Sequence, residues 1–563
     1  MTSAAPPRVW LYPALIALVL GATLLLTLDP AGDRPRLPEG PGLTTDEVLN
    51  VEPGLVLYRQ LGTYGWGLLD PTSWYEVYSD PQYQHDYPPL GRLILAGTHD
   101  VMQALWPVAT DPAGPHRAYW TVQARAASAF ALTLTVFLVG WATGRWYGPL
   151  PGASAALALA LMPRVFAHGH IASIETLVGL FFTATVLFTA DRWPALLTDA
   201  AGTRSRWSIP WKPVVITGVL LGLTLLTKIQ GVLFPVPFAL WAVWRFGRRG
   251  ITAVAVVGVV SALVMFIGWP WLWIDPLANI REYFGQSGRD HLYCWYQGQK
   301  LLDSDVPWHY PFVIFAVTVP VGLHLLGLFG VAAKDSRGER SLSDPRLQLL
   351  LAVCGFSLLL FALPGVTVYD GERLFLVAYP LWAVVIGQGA GRLWELLCPA
   401  SQPARRWLAT AMLGGLLLAE SYTLITLHPC QLSYYSWVVG GLQGAHRLGL
   451  EPTYWGDSIT REFHTEITRQ LPEGATLHVA PVLHPLQLPG LAIQSPLLQR
   501  HRITLKSWDD RIRSEVRYVL VFRRRADFWE TLEETDQPPA GLRRLAEVRR
   551  EGVQLAALYE VAD

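Results

Sequence analysis

Charge is scarce in this chain. Lysine, arginine, aspartate and glutamate make up 16% of its 563 residues, against roughly 25% in soluble domains. The 44 basic and 44 acidic residues cancel, so no basic surplus argues for nucleic acid as a partner. The four cysteines (Cys294, Cys354, Cys398, Cys430) show no metal-ligand spacing. The first apolar run lacks a small-residue cleavage site and reads as a retained anchor, not a signal peptide. No internal repeat or low-complexity tract is present.

What the chain has is apolar sequence. Hydrophobic residues make up 51%, and the polarity deficit ends before residue 451. That pattern predicts a polytopic membrane protein with a soluble tail. The 24 tryptophans gather near the ends of the apolar runs, as interfacial belts require. Windows long enough to span lie at 10–28, 119–142, 148–163, 171–190, 213–228, 230–245, 251–272, 308–332, 347–364, 373–391 and 407–427, about eleven in all. Residues 90–108 carry Arg92, His99 and Asp100 after two prolines, which suits an interfacial helix.

The connecting segments alternate in charge. Arg145, then Arg192, Arg204, Arg206 and Lys212, then Arg245, Arg248 and Arg249 fall on one side. So do Lys334, Arg337, Arg340 and Arg346, and then Arg392, Arg405 and Arg406. The positive-inside rule makes that side cytoplasmic. The outer side then holds loops 29–118 and 273–307 and everything after 428. Residues 1–430 form the membrane domain, and 451–563 a small extracytoplasmic α/β domain. Its expected strands are Thr476–Val479, Val516–Phe522 and Gly552–Tyr559, and its expected helix is Phe528–Glu534. It carries no catalytic motif and reads as a lid or support.

Four groups of residues bear on chemistry. The first is Asp46-Glu47. Thr44-x-x-Glu47 fits a helix capping box, which accounts for Glu47. Asp46 is left over, beyond a span, in an aromatic loop. A carboxylate there can take a hydroxyl proton beside a lipid phosphate leaving group. The second is Tyr87-Pro88-Pro89-Leu90-Gly91-Arg92, where Arg92 either binds a phosphate oxygen or snorkels to headgroups.

The third group is ionisable residues in apolar surroundings: Arg125, Glu175, Lys228, His324 and Glu420, with Arg373 at the start of a window. Such placements are expensive and functional by default. His324 reads as a core histidine, and Glu420 is left unassigned. Arg373, in Tyr369-Asp370-Gly371-Glu372-Arg373, either holds a donor phosphate or pairs with Asp370 or Glu372. The fourth is outer loop 273–307, where His291 and Trp295 stand among aromatics and carboxylates suited to sugar rings.

The order of these features resembles a known family. One span, an outer loop with Asp46-Glu47, the Pro88-Pro89-Leu90-Gly91-Arg92 turn, Arg125-Ala-Ala-Ser-Ala, Gly222-Leu-Thr-Leu-Leu-Thr-Lys228 and a Trp-rich outer loop follow in sequence. This is similar to the GT-C glycosyltransferases of the protein O-mannosyltransferase and lipid A aminoarabinose transferase type, over about residues 1–430. The resemblance implies a polyprenyl-phosphate sugar donor and an acceptor hydroxyl on a protein, lipid or glycan outside the cytoplasm. It implies Asp46 as the catalytic base, aided by Glu47. Arg92, Lys228 and Arg373 would hold the donor phosphate. Tyr87, His170, Glu175, His291, Trp295 and Asp370 would face the sugar or the acceptor. A divalent cation is left open, with no metal ligands assigned. Tyr87 stands where the family turn usually begins with His, and Glu175 stands where it often has Asp. The tail lacks a β-trefoil-like repeat, which favours a bacterial-type member in the inner membrane. The rival expectations are a transporter or flippase of a lipid-linked glycan, and a membrane scaffold.

Overall fold

Backbone groups in lipid have no water to bond, so apolar windows fold as helices that satisfy themselves. A computed structural model of the chain describes residues 9–28, 37–78, 87–107, 120–197, 210–285, 292–334, 341–398, 406–509, 515–527, 532 and 538–562. The helices begin with α1 (Leu11–Leu26), α2 (Thr45–Tyr64), α3 (Pro71–Tyr78), α4 (Pro89–Leu105) and α5 (Val122–Tyr147). They continue with α6 (Pro149–Ala160), α7 (Pro163–His168), α8 (Ile174–Leu197), α9 (Trp211–Thr227), α10 (Pro235–Phe246) and α11 (Arg248–Gly268). Two short helices, α12 (Trp271–Ile274) and α13 (Pro276–Phe284), lead to a hairpin of β1 (Tyr293–Tyr296) and β2 (Gln299–Leu302). The bundle closes with α14 (Tyr310–Thr318), α15 (Val321–Ala332), α16 (Pro345–Leu359), α17 (Ala378–Leu397), α18 (Arg406–Ala419) and α19 (Ser421–Thr426).

The chain is a multi-pass membrane protein. By length and composition, six segments reach what a crossing needs: Val122–Tyr147, Ile174–Pro194, Ile229–Phe246, Arg248–Gly268, Pro345–Ala362 and Arg406–Thr426. The α14–α15 pair, bent by 110°, makes a seventh if it counts as one. Helices α1, α6 and α9 are shorter apolar helices. Part of the difference from about eleven spans lies in proline, which removes a helical N–H and clashes with the preceding turn. Pro149 and Pro163 confine α6 to 12 residues, and Pro320 splits window 308–332. Window 373–391 opens as one 3-10 turn before α17 begins. In α17 every residue from Ala378 to Gly391 is buried. Gly389 lets it lie directly on α15, since a Cβ there would sit 1.9 Å from the Leu326 carbonyl oxygen.

The expected interfacial helix is α4. It is amphipathic and buries Arg92, Leu95, Ala96 and His99 against α2 and α5. All four cysteines are free and buried.

After α20 (Gly441–Arg447) and α21 (Arg461–Gln470) the chain builds a five-stranded sheet. Its strands are β3 (Thr476–Ala480), β4 (Thr504–Ser507), β5 (Tyr518–Phe522), β6 (Leu542–Arg550) and β7 (Val553–Val561), in the order β4-β3-β5-β7-β6. β3 pairs parallel with β4 and β5, and β7 runs antiparallel to β5 and β6. Side chains alternate across the sheet. Leu477, Val479, Leu520 and Phe522 join one core, and Ala480, Val519 and Val521 another. The first of these cores also takes in Leu43 and Val48, on either side of Asp46. The expected helix Phe528–Glu534 lies outside the described residues, apart from Leu532.

Candidate active site

The site starts from the first turn of α2. Thr44 caps the helix, and its N–H and hydroxyl donate to Glu47 Oε2 at 2.9 and 3.1 Å. Arg125 of α5 grips the same carboxylate, Nε to Oε1 at 2.5 Å and Nη2 to Oε2 at 2.6 Å. The remaining donors of Arg125 reach the carbonyls of Leu28, Pro41 and Gly42. The Ala172 N–H adds a bond to Glu47 Oε1 at 2.9 Å. Glu47 and Arg125 are wholly buried. This closed pairing sets Glu47 to hold the start of α2 against α5, away from the cavity beside it, so the expectation of a catalytic Glu47 finds no open oxygen here.

A helix turn carries adjacent residues to different sides, so Asp46 points elsewhere. It lines a cavity of about 300 Å³ together with Thr45, Asn50, Tyr87, Arg92 and Leu292. Tyr369, Asp370, Arg373, Trp455, Val482, Leu483, Arg524 and Asp527 complete the wall. Arg373 binds Asp46 through Nη2, Glu175 Oε1 through Nε at 2.7 Å and Asp370 Oδ2 through Nη1 at 3.1 Å. Its guanidinium carbon also lies 4.8 Å from the centre of the Trp455 ring. Burial pushes the Asp46 carboxyl above its ordinary value, with Arg373 pulling the other way.

Asp370 sits in the left-handed region at φ 56°, followed by Gly371 at φ 63°. This costly backbone aims the Asp370 carboxylate at two arginines and an indole. Oδ1 meets Arg524 Nη1 at 2.9 Å, and Oδ2 accepts from Trp455 Nε1 at 3.1 Å as well as from Arg373. The next residue but one, Glu372, turns the other way and pairs with Arg164 and the Tyr454 hydroxyl.

The sequence-derived candidates separate clearly. Asp46, Tyr87, Arg92, Asp370 and Arg373 meet at the cavity. Arg92 stacks on the Tyr87 ring at 4.5 Å and donates to the Leu49 carbonyl. Of the two roles open for Arg373, the ion pair with Asp370 is present, and Glu372 is not its partner. Glu175 and Lys228 pair behind Arg373 and are absent from the cavity wall. Trp295 lies on β1 under Arg525, whose guanidinium carbon is 5.3 Å from the ring. His170 is elsewhere. It bonds Thr27 at 2.6 Å and the Phe166 carbonyl, beside an apolar cavity of about 600 Å³ between α1, α6 and α19. Burial pushes its imidazole down to about 3. His291 lies outside the described residues. His324 is half-buried and bonds the Phe315 carbonyl, as a core histidine would. Among the described residues no group of three or more His, Cys, Asp or Glu side chains is arranged to hold a metal ion.

Residues 59–275 match the family described as dolichyl-phosphate-mannose-protein mannosyltransferase. The match takes in less than half of the chain. The matching stretch contains Tyr87, Arg92, Arg125, His170, Glu175 and Lys228. Asp46 precedes it, and Asp370 and Arg373 follow it.

Solved structures to which the chain is similar include ArnT from Cupriavidus metallidurans bound to undecaprenyl phosphate. That pair is 14% identical over 100% of both chains, with a TM-score of 0.46. The S. cerevisiae Pmt1-Pmt2 complex bound to the sugar donor is 14% identical over 53% of this chain and 39% of that one, with a TM-score of 0.33. The oligosaccharyltransferase AglB from Archaeoglobus fulgidus is 12% identical over 91% of this chain and 69% of that one, with a TM-score of 0.48. No curated protein sequence matches.

The C-terminal contributors to the cavity, Trp455, Val482, Leu483, Arg524 and Asp527, escape a reading of the sequence. One signal is visible afterwards. Arg523-Arg524-Arg525 directly follows the apolar strand Tyr518–Phe522, and three cations at a strand end are costly unless something pairs with them.

Proposed function

We propose that this protein is a glycosyltransferase that moves a sugar from a polyprenyl-phosphate donor to an acceptor hydroxyl on the extracytoplasmic face, with Asp46 as general base. The observation that carries the reading is a buried carboxylate that shares one cavity with three arginines, Arg92, Arg373 and Arg524. Asp46 takes the acceptor proton as that oxygen attacks the anomeric carbon. The bond from the anomeric carbon to the phosphate oxygen breaks, and polyprenyl phosphate leaves with the electron pair. The sugar inverts, and the proton stays on Asp46 until water removes it.

Arg373 Nε, Nη1 and Nη2 are each taken by a carboxylate. These bonds use three of its five N–H donors, and a donor phosphate that reaches Arg373 competes with the carboxylates for the guanidinium. Asp46 and Asp370 both line the cavity, and a phosphate that takes the place of Asp46 frees the base as it positions the leaving group. Arg92, stacked on Tyr87, offers the second cation. The positive loops on the opposite face support the outward orientation, and the bacterial inner membrane is the membrane we propose. A divalent cation at Asp46 would have to displace Arg373, so turnover that survives a chelator is the expected outcome.

The test is release of labelled sugar from a polyprenyl-phosphate hexose by purified protein in lipid. Asp46→Asn is expected to lower turnover about 10²–10⁴-fold with donor binding retained, the range for loss of a general base. Equal turnover in both proteins removes Asp46 from the mechanism.

A further inference from the structure

The parallel half of the C-terminal sheet ends at the cavity. β3 stops at Ala480 and is followed by Val482 and Leu483. β5 stops at Phe522 and is followed by Arg524 and Asp527. All four of these following residues line the cavity that holds Asp46. β3 lies between β4 and β5, so the chain leaves it on one side and returns on the other. In open α/β sheets ligands bind in the crevice beyond the carboxyl ends of the strands, where the strand order reverses.

The turn after β5 is held firmly. Glu451 accepts from the N–H groups of Arg525 at 2.5 Å and Ala526 at 3.1 Å. Arg524, only 5% exposed, donates through Nε to Asp527 Oδ2 at 2.5 Å and through Nη1 to the Tyr454 carbonyl at 2.8 Å. Its Nη1 also meets Asp370. Among the described residues no acceptor takes Arg524 Nη2, and no donor takes Asp527 Oδ1. A donor and an acceptor thus stand side by side at the cavity wall. Asp370 is shared with Arg373, so the two arginines and the two carboxylates balance. Neutral hydroxyls on neighbouring carbons match one donor and one acceptor.

We propose that Arg524 and Asp527 form a hydroxyl-binding pair through which the C-terminal sheet holds a sugar ring in the catalytic cavity. The proposal rests on the glycosyltransferase reading of that cavity. The ring belongs to the donor or to a glycan acceptor, and the two arms of the experiment separate them.

The experiment uses the full chain in lipid nanodiscs: wild type, Asp527→Asn and Arg524→Lys. The first arm compares binding of polyprenyl-phosphate hexose with that of polyprenyl phosphate lacking the sugar. The second follows binding of a methyl hexoside by saturation-transfer NMR. Both variants are expected to weaken one sugar-bearing probe about tenfold, a 1.4 kcal/mol change, and to leave bare polyprenyl phosphate unchanged. Asp527→Asn conserves shape and keeps the fold readable by thermal unfolding. Loss in the first arm assigns the ring to the donor, and loss in the second to the acceptor. Unchanged affinity in both arms overturns the proposal, as does a wild type with no preference for either sugar-bearing probe. A wild type that binds the donor and never turns it over defeats the glycosyltransferase reading and leaves the binding comparison decisive.

Discussion

Arg373 binds Asp46 from 327 residues away in sequence, and the same guanidinium holds Glu175 and Asp370. One planar fork satisfies three carboxylates in a buried space. Removing it leaves Asp46 without a cation, while Glu175 keeps Lys228 and Asp370 keeps Arg524. Arg373→Ala is expected to cost about 3–5 kcal/mol, the range for an orphaned buried charge. Arg373→Lys, a single point charge, recovers part of that. Thermal unfolding in detergent reads both. Equal stability of all three proteins would mean that the carboxylates are protonated or solvated.

The pH profile of turnover follows from Asp46. A base must be ionised, and burial pushes this carboxyl above the ordinary aspartate value of 3.8. Activity therefore rises with pH along an acid limb that lies above that value. Arg373 favours the charged form, so Arg373→Gln is expected to move the limb to still higher pH. A limb that stays put, or moves down, detaches it from Asp46.

The Glu47–Arg125 clamp predicts a different kind of failure. Both groups are wholly buried and fully bonded. Glu47→Gln leaves the Arg125 charge without its counter-ion and is expected to cost about 3–5 kcal/mol. The double variant Glu47→Gln with Arg125→Met removes the orphaned charge and is expected to recover part of the loss. The measurement is unfolding temperature and yield of folded protein across the cycle. A double variant no better than the sum of the singles would show that the two groups do not act as a pair.

Much of the bundle is legible because lipid imposes a simple pattern: long apolar runs, aromatic ends and paired basic loops. Asp46 is legible because the capping box explains Glu47 and leaves its neighbour unexplained. Other features depend on contacts that sequence spacing does not encode. Glu175 and Lys228 look like two independent charges, yet they form one pair behind Arg373. His170 sits two residues from His168, but the turn after α7 sends it to Thr27 while His168 faces Glu372. Arg524 and Asp527 reach the site because a parallel sheet directs its strand ends there. Strand order is not visible in a pattern of alternating residues.

Glu451 gives the last prediction. Burial is the largest influence on its carboxyl and pushes it up to about 8, against the pull of Arg524 and the two N–H groups it accepts from. In the unfolded chain it titrates near 4.5. Between those values the folded protein holds a proton that the unfolded chain has released. By linkage its stabilising contribution is full below about pH 4.5 and is lost as pH rises through about 8. Glu451→Gln is neutral throughout and removes that component of the slope. Its single oxygen can still accept from Arg525 or Ala526, so the turn that presents Arg524 keeps part of its anchorage. Unfolding temperature measured from pH 5 to pH 9 should fall more steeply in wild type than in the variant. Parallel curves would place the ionisation of Glu451 outside that window and leave the turn insensitive to pH.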